Sequence, residues 1–150
     1  MRHLALAAGL AAAPLFAIFA ATDVRADQGA PRDLVCLAEA VYFEARGTGT
    51  AGETAVAHVV VNRSNDPSFP DTVCGVVADG CQFSYRCDGR SDALNDRQAR
   101  ARAYRVAEAV LDGGADPTGG ALFFHSAKAK SGWFARRERV GTIGGNVFYR

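Results

Sequence analysis

A carboxylate that could serve as a general acid stands at Glu44, near the end of the segment Ala38-Glu39-Ala40-Val41-Tyr42-Phe43-Glu44-Ala45-Arg46-Gly47. The segment reads as the last turns of a helix, with Gly47 letting the chain turn away. A carboxyl near a helix C-terminus meets the negative end of the dipole, which favours its neutral form. The aromatic neighbours Tyr42 and Phe43 push the same way by desolvation. Proton donation near neutral pH needs a glutamate tuned like this. The competing reading is a surface ion pair with a nearby arginine, and from this segment alone it is the better supported. Glu39 lies five residues earlier, about 140° round a helix. The two carboxylates therefore do not face each other, and Glu39 reads as a structural or ion-pairing residue.

The other chemistry-bearing residues are few. Cys36, Cys74, Cys81 and Cys87 make an even count with no C-x-x-C spacing, and the histidines His58 and His125 lie 67 residues apart. This favours two disulfides over a metal site. Three pairings are open. If 81–87 were a straight strand its ends would stand about 20 Å apart, so a Cys81–Cys87 bridge requires a turn. His58, alone in an apolar stretch, reads as structural, and His125 as a strand histidine with its bonds satisfied.

Export fits the disulfides. From Leu4 to Ala21 no residue is charged; Arg2 and His3 precede the run and Val24-Arg25-Ala26 follows it. A basic start, an apolar middle and a small-x-Ala end describe a signal peptide over 1–26, with the domain over 27–150. A membrane anchor is the alternative, since about 18 apolar residues nearly span a bilayer. The Ala-rich run and Pro14 favour cleavage, after which no membrane segment remains. The 150 residues carry 17 basic and 16 acidic groups. Removing 1–26 takes away Arg2, Arg25 and Asp23, leaving 15 of each sign and no net charge. A neutral chain without a basic block argues against nucleic acid as partner.

The elements that must position these groups follow from the hydrophobic pattern. Asp33 is placed to cap a first helix running to about Arg46, with Leu34, Leu37, Ala38, Val41 and Ala45 on one stripe. Thr50 and Glu53 read as a capping box for a second helix. Thr54 to Arg63 is apolar nearly all round, as befits the middle of a core. A buried strand is the rival for this β-branched run, and the cap decides for helix. Thr72 to Ala78 reads as a short helix or turn, and 82–85 as a short strand. A further helix spans about Ala93 to Asp112, with Ala99, Ala103, Val106 and Val110 inward. Residues 121–125 and 146–149 read as strands that pair with each other and with 82–85. The sum is an α+β fold: about three helices over a small antiparallel sheet.

The blocks Cys36 to Gly47, Ala55-Val56-Ala57, Val60-Val61-Asn62-Arg63, Pro67 to Val77, Cys81-Gln82-Phe83-Ser84, Ala121 to His125, Trp133, and Ile143-Gly144 before Phe148-Tyr149 are familiar as an ordered set. Together they resemble the SleB-type cell wall hydrolases, the family of spore-cortex-lytic enzymes. The resemblance runs from about residue 33 to the end. It implies a lysozyme-like helical part with a small sheet, acting on peptidoglycan glycan strands. It also implies a lytic transglycosylase with one catalytic glutamate in Glu-Ala-Arg-Gly, which here is Glu44. That reverses the preference for a surface ion pair. Two positions depart from the family's pattern: Thr48 stands where a second Glu is common, and Asn146 where a His is common. Asn keeps hydrogen bonding but cannot titrate.

On this reading Gln82, Ser84, Asn62 and Tyr149 are candidates for bonds to sugar hydroxyls or N-acetyl groups, and Trp133, Phe83 and Tyr42 for ring faces. Asn62 serves equally well as a cap for the second helix. On a strand, Gln82 and Ser84 would share one face, groove or solvent, and Phe83 would point to the core. The arginine-rich last helix reads as a solvated face. No metal and no cofactor is expected, and the expected working unit is a periplasmic or extracellular monomer.

Overall fold

The computed structural model describes residues 31–129 and 132–150. The expected export segment lies outside these residues, and no helix among them is long and apolar enough to cross a membrane. Helix α1 spans Arg32–Glu44, α2 Gly49–Ser64, α3 Val73–Ala78 and α4 Arg97–Leu111; strands β1 Phe123–Ser126, β2 Arg139–Ile143 and β3 Asn146–Tyr149 follow. The α+β reading therefore holds, with the short α3 making a fourth helix.

Helix α2 is the centre. Ala55, Val56, Ala57, Val59 and Val60 have no exposed surface. An element apolar on every side is stable only when covered on every side. It touches α1, α3, α4 and the sheet. Its start differs from the expected box. Thr48 precedes the helix with no side-chain cap, and its hydroxyl donates back to the Ala45 carbonyl at 2.7 Å. Glu53 does not return to Thr50: it is buried, 3.6 Å from Arg102 of α4. Burial against α4 claims the carboxylate that the box would need in solvent. Helix α1 likewise starts two residues earlier than expected. Pro31 stands at its N-cap, and Asp33, inside the first turn, accepts from the Cys74 amide. The helix ends at Glu44, two residues before the expected end. Helix α4 begins at Arg97 rather than near Ala93, because Asp96 caps it through the amides of Gln98 and Ala99.

The sheet has the order β1-β3-β2, antiparallel throughout, with Phe123 opposite Tyr149 and His125 opposite Val147. The pairing of 121–125 with 146–149 is as expected, but the third strand is Arg139–Ile143, not 82–85. Residues 82–85 form no strand. The bridge between Cys81 and Cys87 holds their Cα atoms 5.7 Å apart, and Ser84–Arg86 is a single 3-10 turn. A closed seven-residue ring cannot run straight, so the disulfide overrides strand propensity. The second bridge, Cys36–Cys74, ties α1 to α3.

Gly144 and Gly145, both at positive φ, make the two-residue turn between β2 and β3. A Cβ on Gly144 would stand 2.5 Å from the Gly52 Cα. This contact of two glycines docks the sheet onto the first turns of α2. It brings one end of β3 beside the C-terminal end of α1, where the groove lies.

Candidate active site

A groove of about 470 Å³ opens between the helices and the sheet. Glu44 of α1 and Arg63 of α2 lie on its helical side, with Gln82 and Phe83 from the disulfide loop. Phe123, His125, Asn146 and Trp133 line the sheet side.

Glu44 is half-buried. Burial raises its pKa, while the Ser84 amide, which donates to the carboxylate, and the Arg63 cation lower it. Desolvation therefore favours the protonated form, and the partners that would hold the ionised form already face it. The Phe43 ring stacks on Tyr85 at 4.4 Å, which fixes the end of α1 against the disulfide loop. Among the described residues Glu44 makes no ion pair; its neighbour Arg46 pairs with Asp96 at 3.7 Å. Glu39 pairs with Arg86 at 3.4 Å, the structural role expected of it.

Arg63 escaped sequence reasoning as a site residue. It is only 8 % exposed, and its Nε donates to the Leu122 carbonyl at 2.7 Å. The rings of Phe69, Phe83 and Phe123 surround its guanidinium at 5.2–5.9 Å. The signal for it is an arginine closing an otherwise apolar helix. Burial lowers its pKa, opposed by Asp79 and Glu44, but a guanidinium remains charged at any working pH.

The sheet side is aromatic. His125 stacks on Phe134 at 4.6 Å and on Tyr149 at 5.5 Å. Its Nδ1 lies 2.8 Å from the Ser126 carbonyl, and its Nε2 lies 2.9 Å from the Tyr149 hydroxyl. A carbonyl only accepts, so Nδ1 carries the proton, and in the neutral ring Nε2 accepts from Tyr149. Both histidine nitrogens are thus satisfied. Trp133 is 62 % exposed on the groove wall.

The groove collects Glu44, Gln82 and Trp133 from the expected set, with Phe83 buried in its floor. Ser84 meets it through the main-chain amide that faces Glu44. Tyr149 stands behind the wall, positioning His125. Asn62 and Tyr42 are corrections. The Asn62 amide is held by Asp116 at 3.0 Å and the Ala121 carbonyl at 3.1 Å. It anchors the loop leading into β1 and neither lines the groove nor caps α2. Tyr42 is buried between helices, its hydroxyl accepting from the Asp96 amide at 3.1 Å. At a helical spacing of two residues it points away from Glu44. Asp116 gathers Thr118, Asn62 and Gly120. Burial opposes its ionisation, but bonds from the Thr118 side chain, Asn62 and the amides of Thr118 and Gly120 hold its pKa at about 2. His58 lies 3.9 Å from it, its pKa lowered mainly by burial, a structural role.

Residues 47–149 match the cell wall hydrolase family. The chain belongs to that family. It is 41% identical over 119 residues to a spore cortex-lytic enzyme of Halalkalibacterium halodurans, covering 77% of this chain and 34% of that protein. It is 39% identical over 119 residues to the spore cortex-lytic enzyme of Bacillus subtilis, covering 77% and 37%. The chain thus spans little more than a third of the length of these two relatives. Among solved structures, the catalytic domain of the germination-specific lytic transglycosylase SleB from Bacillus anthracis is 34% identical, with a TM-score of 0.69 over 82% of this chain and 98% of that one. The family match begins three residues after Glu44, so the case for Glu44 rests on its geometry.

Proposed function

We propose that this family member is an exported lytic transglycosylase that cuts the bond between N-acetylmuramic acid and N-acetylglucosamine in peptidoglycan. The observation that carries this is the groove with one carboxyl among its described lining residues, its pKa raised by burial and the group faced by partners that favour its ionised form. Hydrolysis of glycosides ordinarily uses two carboxylates. A transglycosylase needs one. Glu44 gives its proton to the glycosidic oxygen as the bond from that oxygen to the muramic C1 breaks. The Ser84 amide and Arg63 hold the carboxylate left behind. The muramic 6-hydroxyl oxygen then bonds to C1 and its proton returns to Glu44. The product is a 1,6-anhydro end, no water is consumed, and the enzyme is restored. The printed activity of the Bacillus anthracis structure, lytic transglycosylase, supports the same reading.

The test is E44Q with product masses. Loss of cleavage with wall binding kept, and wild-type products lighter by one water than reducing ends, supports the proposal. Reducing ends from the wild type identify a water-using muramidase instead. Wall lysis by E44Q at the wild-type rate removes Glu44 as catalyst. If the wild type releases nothing, the domain only binds wall.

A further inference from the structure

Arg137 has a different setting from the other arginines that the structure describes in contacts. Its guanidinium carbon lies 3.5 Å from the Phe123 ring centroid and 4.5 Å from that of Trp133. Both rings line the groove. Among the described residues no carboxylate pairs with it. By contrast Arg46, Arg86, Arg102 and Arg150 each face an acid, Arg139 donates to the Thr142 hydroxyl, and Arg63 is buried against a carbonyl. The segment around it, 127–138, carries Lys128, Lys130, Arg136 and Arg137 against one acid, Glu138. Arg150 takes that acid at 2.9 Å. In sequence this stretch is basic within a domain expected to have no net charge, and Arg137 sets its charge against two rings of the groove. The two rings, 74° apart in plane, crowd the guanidinium and limit its rotamers, so less side-chain freedom is lost when an anion binds in its fork.

We infer that Arg137, set against the rings of Phe123 and Trp133, is a carboxylate-binding subsite that selects glycan strands bearing an acidic substituent. This rests on the peptidoglycan reading above. Peptidoglycan offers that chemistry from two sources, never both on one muramic residue: the lactyl carboxyl where no peptide is attached, and the stem-peptide carboxyls where the lactyl carboxyl is spent in the amide bond to the peptide. A flat guanidinium fork beside the sugar-facing Trp133 suits a planar carboxylate, bound by two parallel bonds. Neutral glucosamine strands have no such group, so the subsite separates peptidoglycan from neutral polymers that share its backbone.

The test uses three soluble strands: intact, stripped of peptide by an amidase that leaves the lactyl carboxyl, and intact with all carboxyls amidated by carbodiimide and ammonia. Wild-type protein is expected to favour carboxylate strands over amidated ones by about tenfold in kcat/KM, the scale of one charge-assisted bond. R137Q is expected to bring that ratio near one, through KM, and R137K to keep only part of it. Intact strands alone favoured over amidated ones identify the stem-peptide carboxyls, stripped strands alone favoured identify the lactyl carboxyl, and both favoured show that the subsite takes either. A ratio near one in the wild type, or one unchanged in R137Q, overturns the inference, as does an R137Q that slows on all strands alike. Binding is read separately in E44Q and E44Q/R137Q from the emission of Trp133, the single tryptophan. That arm needs no cleavage, so it stands or falls apart from the proposed reaction.

Discussion

Arg63 and Arg137 both bring a guanidinium to Phe123, at 5.7 and 3.5 Å from its centroid, one from the helical side of the groove and one from the sheet side. On the helical side the cation is buried, bonded to a carbonyl and caged by rings. It cannot follow a substrate, and its fixed charge acts on Glu44. On the sheet side the cation is partly exposed, beside an exposed tryptophan, and among the described residues no acid pairs with it. The comparison separates two jobs that a single carbohydrate groove must do. A proton donor needs an environment settled in advance, because reorganising dipoles during the reaction costs rate. A polymer track needs open ring faces and charges still available to the ligand.

The sharpest way to break this division is at Glu44. E44Q is nearly isosteric and should reduce wall clearance, followed as turbidity, by about 10³-fold, within the range for loss of a general acid. Circular dichroism and retention on the wall should be unchanged. An effect smaller than tenfold would place the chemistry elsewhere in the groove.

The two disulfides test whether the helical side is rigid for stability or for chemistry. The Cys36–Cys74 bridge closes 38 residues, and Cys81–Cys87 closes 6. Chain-entropy arguments put their contributions near 4 and 2 kcal/mol respectively. C36S/C74S should therefore lower denaturation midpoints more than C81S/C87S. Activity should reverse the order at temperatures where both variants stay folded, because the smaller ring carries the Ser84 amide to Glu44. Parallel losses of stability and activity in both variants would dissolve the distinction.

Much of the helical side was legible in the residues, and the sheet side less so. The apolar stripe of α1, the all-round burial of α2 and the pairing of β1 with β3 follow from side-chain period, which is local information. The rise in the Glu44 pKa follows from its place at a helix end among aromatic residues. The errors share one cause, tertiary competition for a side chain. Glu53 satisfies a local capping rule, yet α4 buries it against Arg102. Asn62 looks like a sugar ligand or cap, yet a loop 54 residues later takes its amide. Gln82 to Tyr85 has strand composition, yet a covalent ring bends it. Strand β2 went unread because Arg139-Val140-Gly141-Thr142-Ile143 is weakly alternating, and a register shift between Arg139 and Gly141 interrupts its pairing. Arg63 went unread although an arginine closing an apolar helix is a local sign of burial, because the carbonyl that holds it, that of Leu122, lies 59 residues later.

Replacing Arg63 tests whether its charge acts on Glu44. R63Q loses the bond to Leu122 and a fully caged side chain, and should cost about 1–3 kcal/mol in chemical denaturation. Its pH profile carries the argument. Free enzyme is active with Glu44 protonated, so kcat/KM is level below the Glu44 pKa and falls above it. Arg63 lowers that pKa against the larger effect of burial. Removing the cation therefore moves the alkaline fall to higher pH, and R63K should restore it. An unmoved limb in R63Q would make Arg63 a packing residue alone.

On the sheet side, W133A should raise KM for glycan strands several-fold while kcat changes less, since stacking serves ground state and transition state alike. Stability should stay within about 0.5 kcal/mol, as for other exposed positions. A fall in kcat with KM unchanged would move Trp133 from the track to the chemistry.

The smallest effect is expected at Asn146, where the family commonly has histidine. Asn146 is 7 % exposed, in β3, opposite Ser126 and Ile143, and it lines the groove. An amide there can bond a substrate but holds no charge at any pH. N146H adds a ring that becomes cationic as pH falls, on the same groove as Arg63 and Glu44. A cation near Glu44 favours its ionised form and so lowers its pKa. The variant should match the parent within about threefold at pH 8, where an ordinary histidine is neutral. Below pH 6 it should lose activity that the parent keeps, because the added charge draws the proton off the donor. Parallel profiles for the two proteins would show that position 146 is electrically remote from Glu44 and that the sheet side contributes contacts alone.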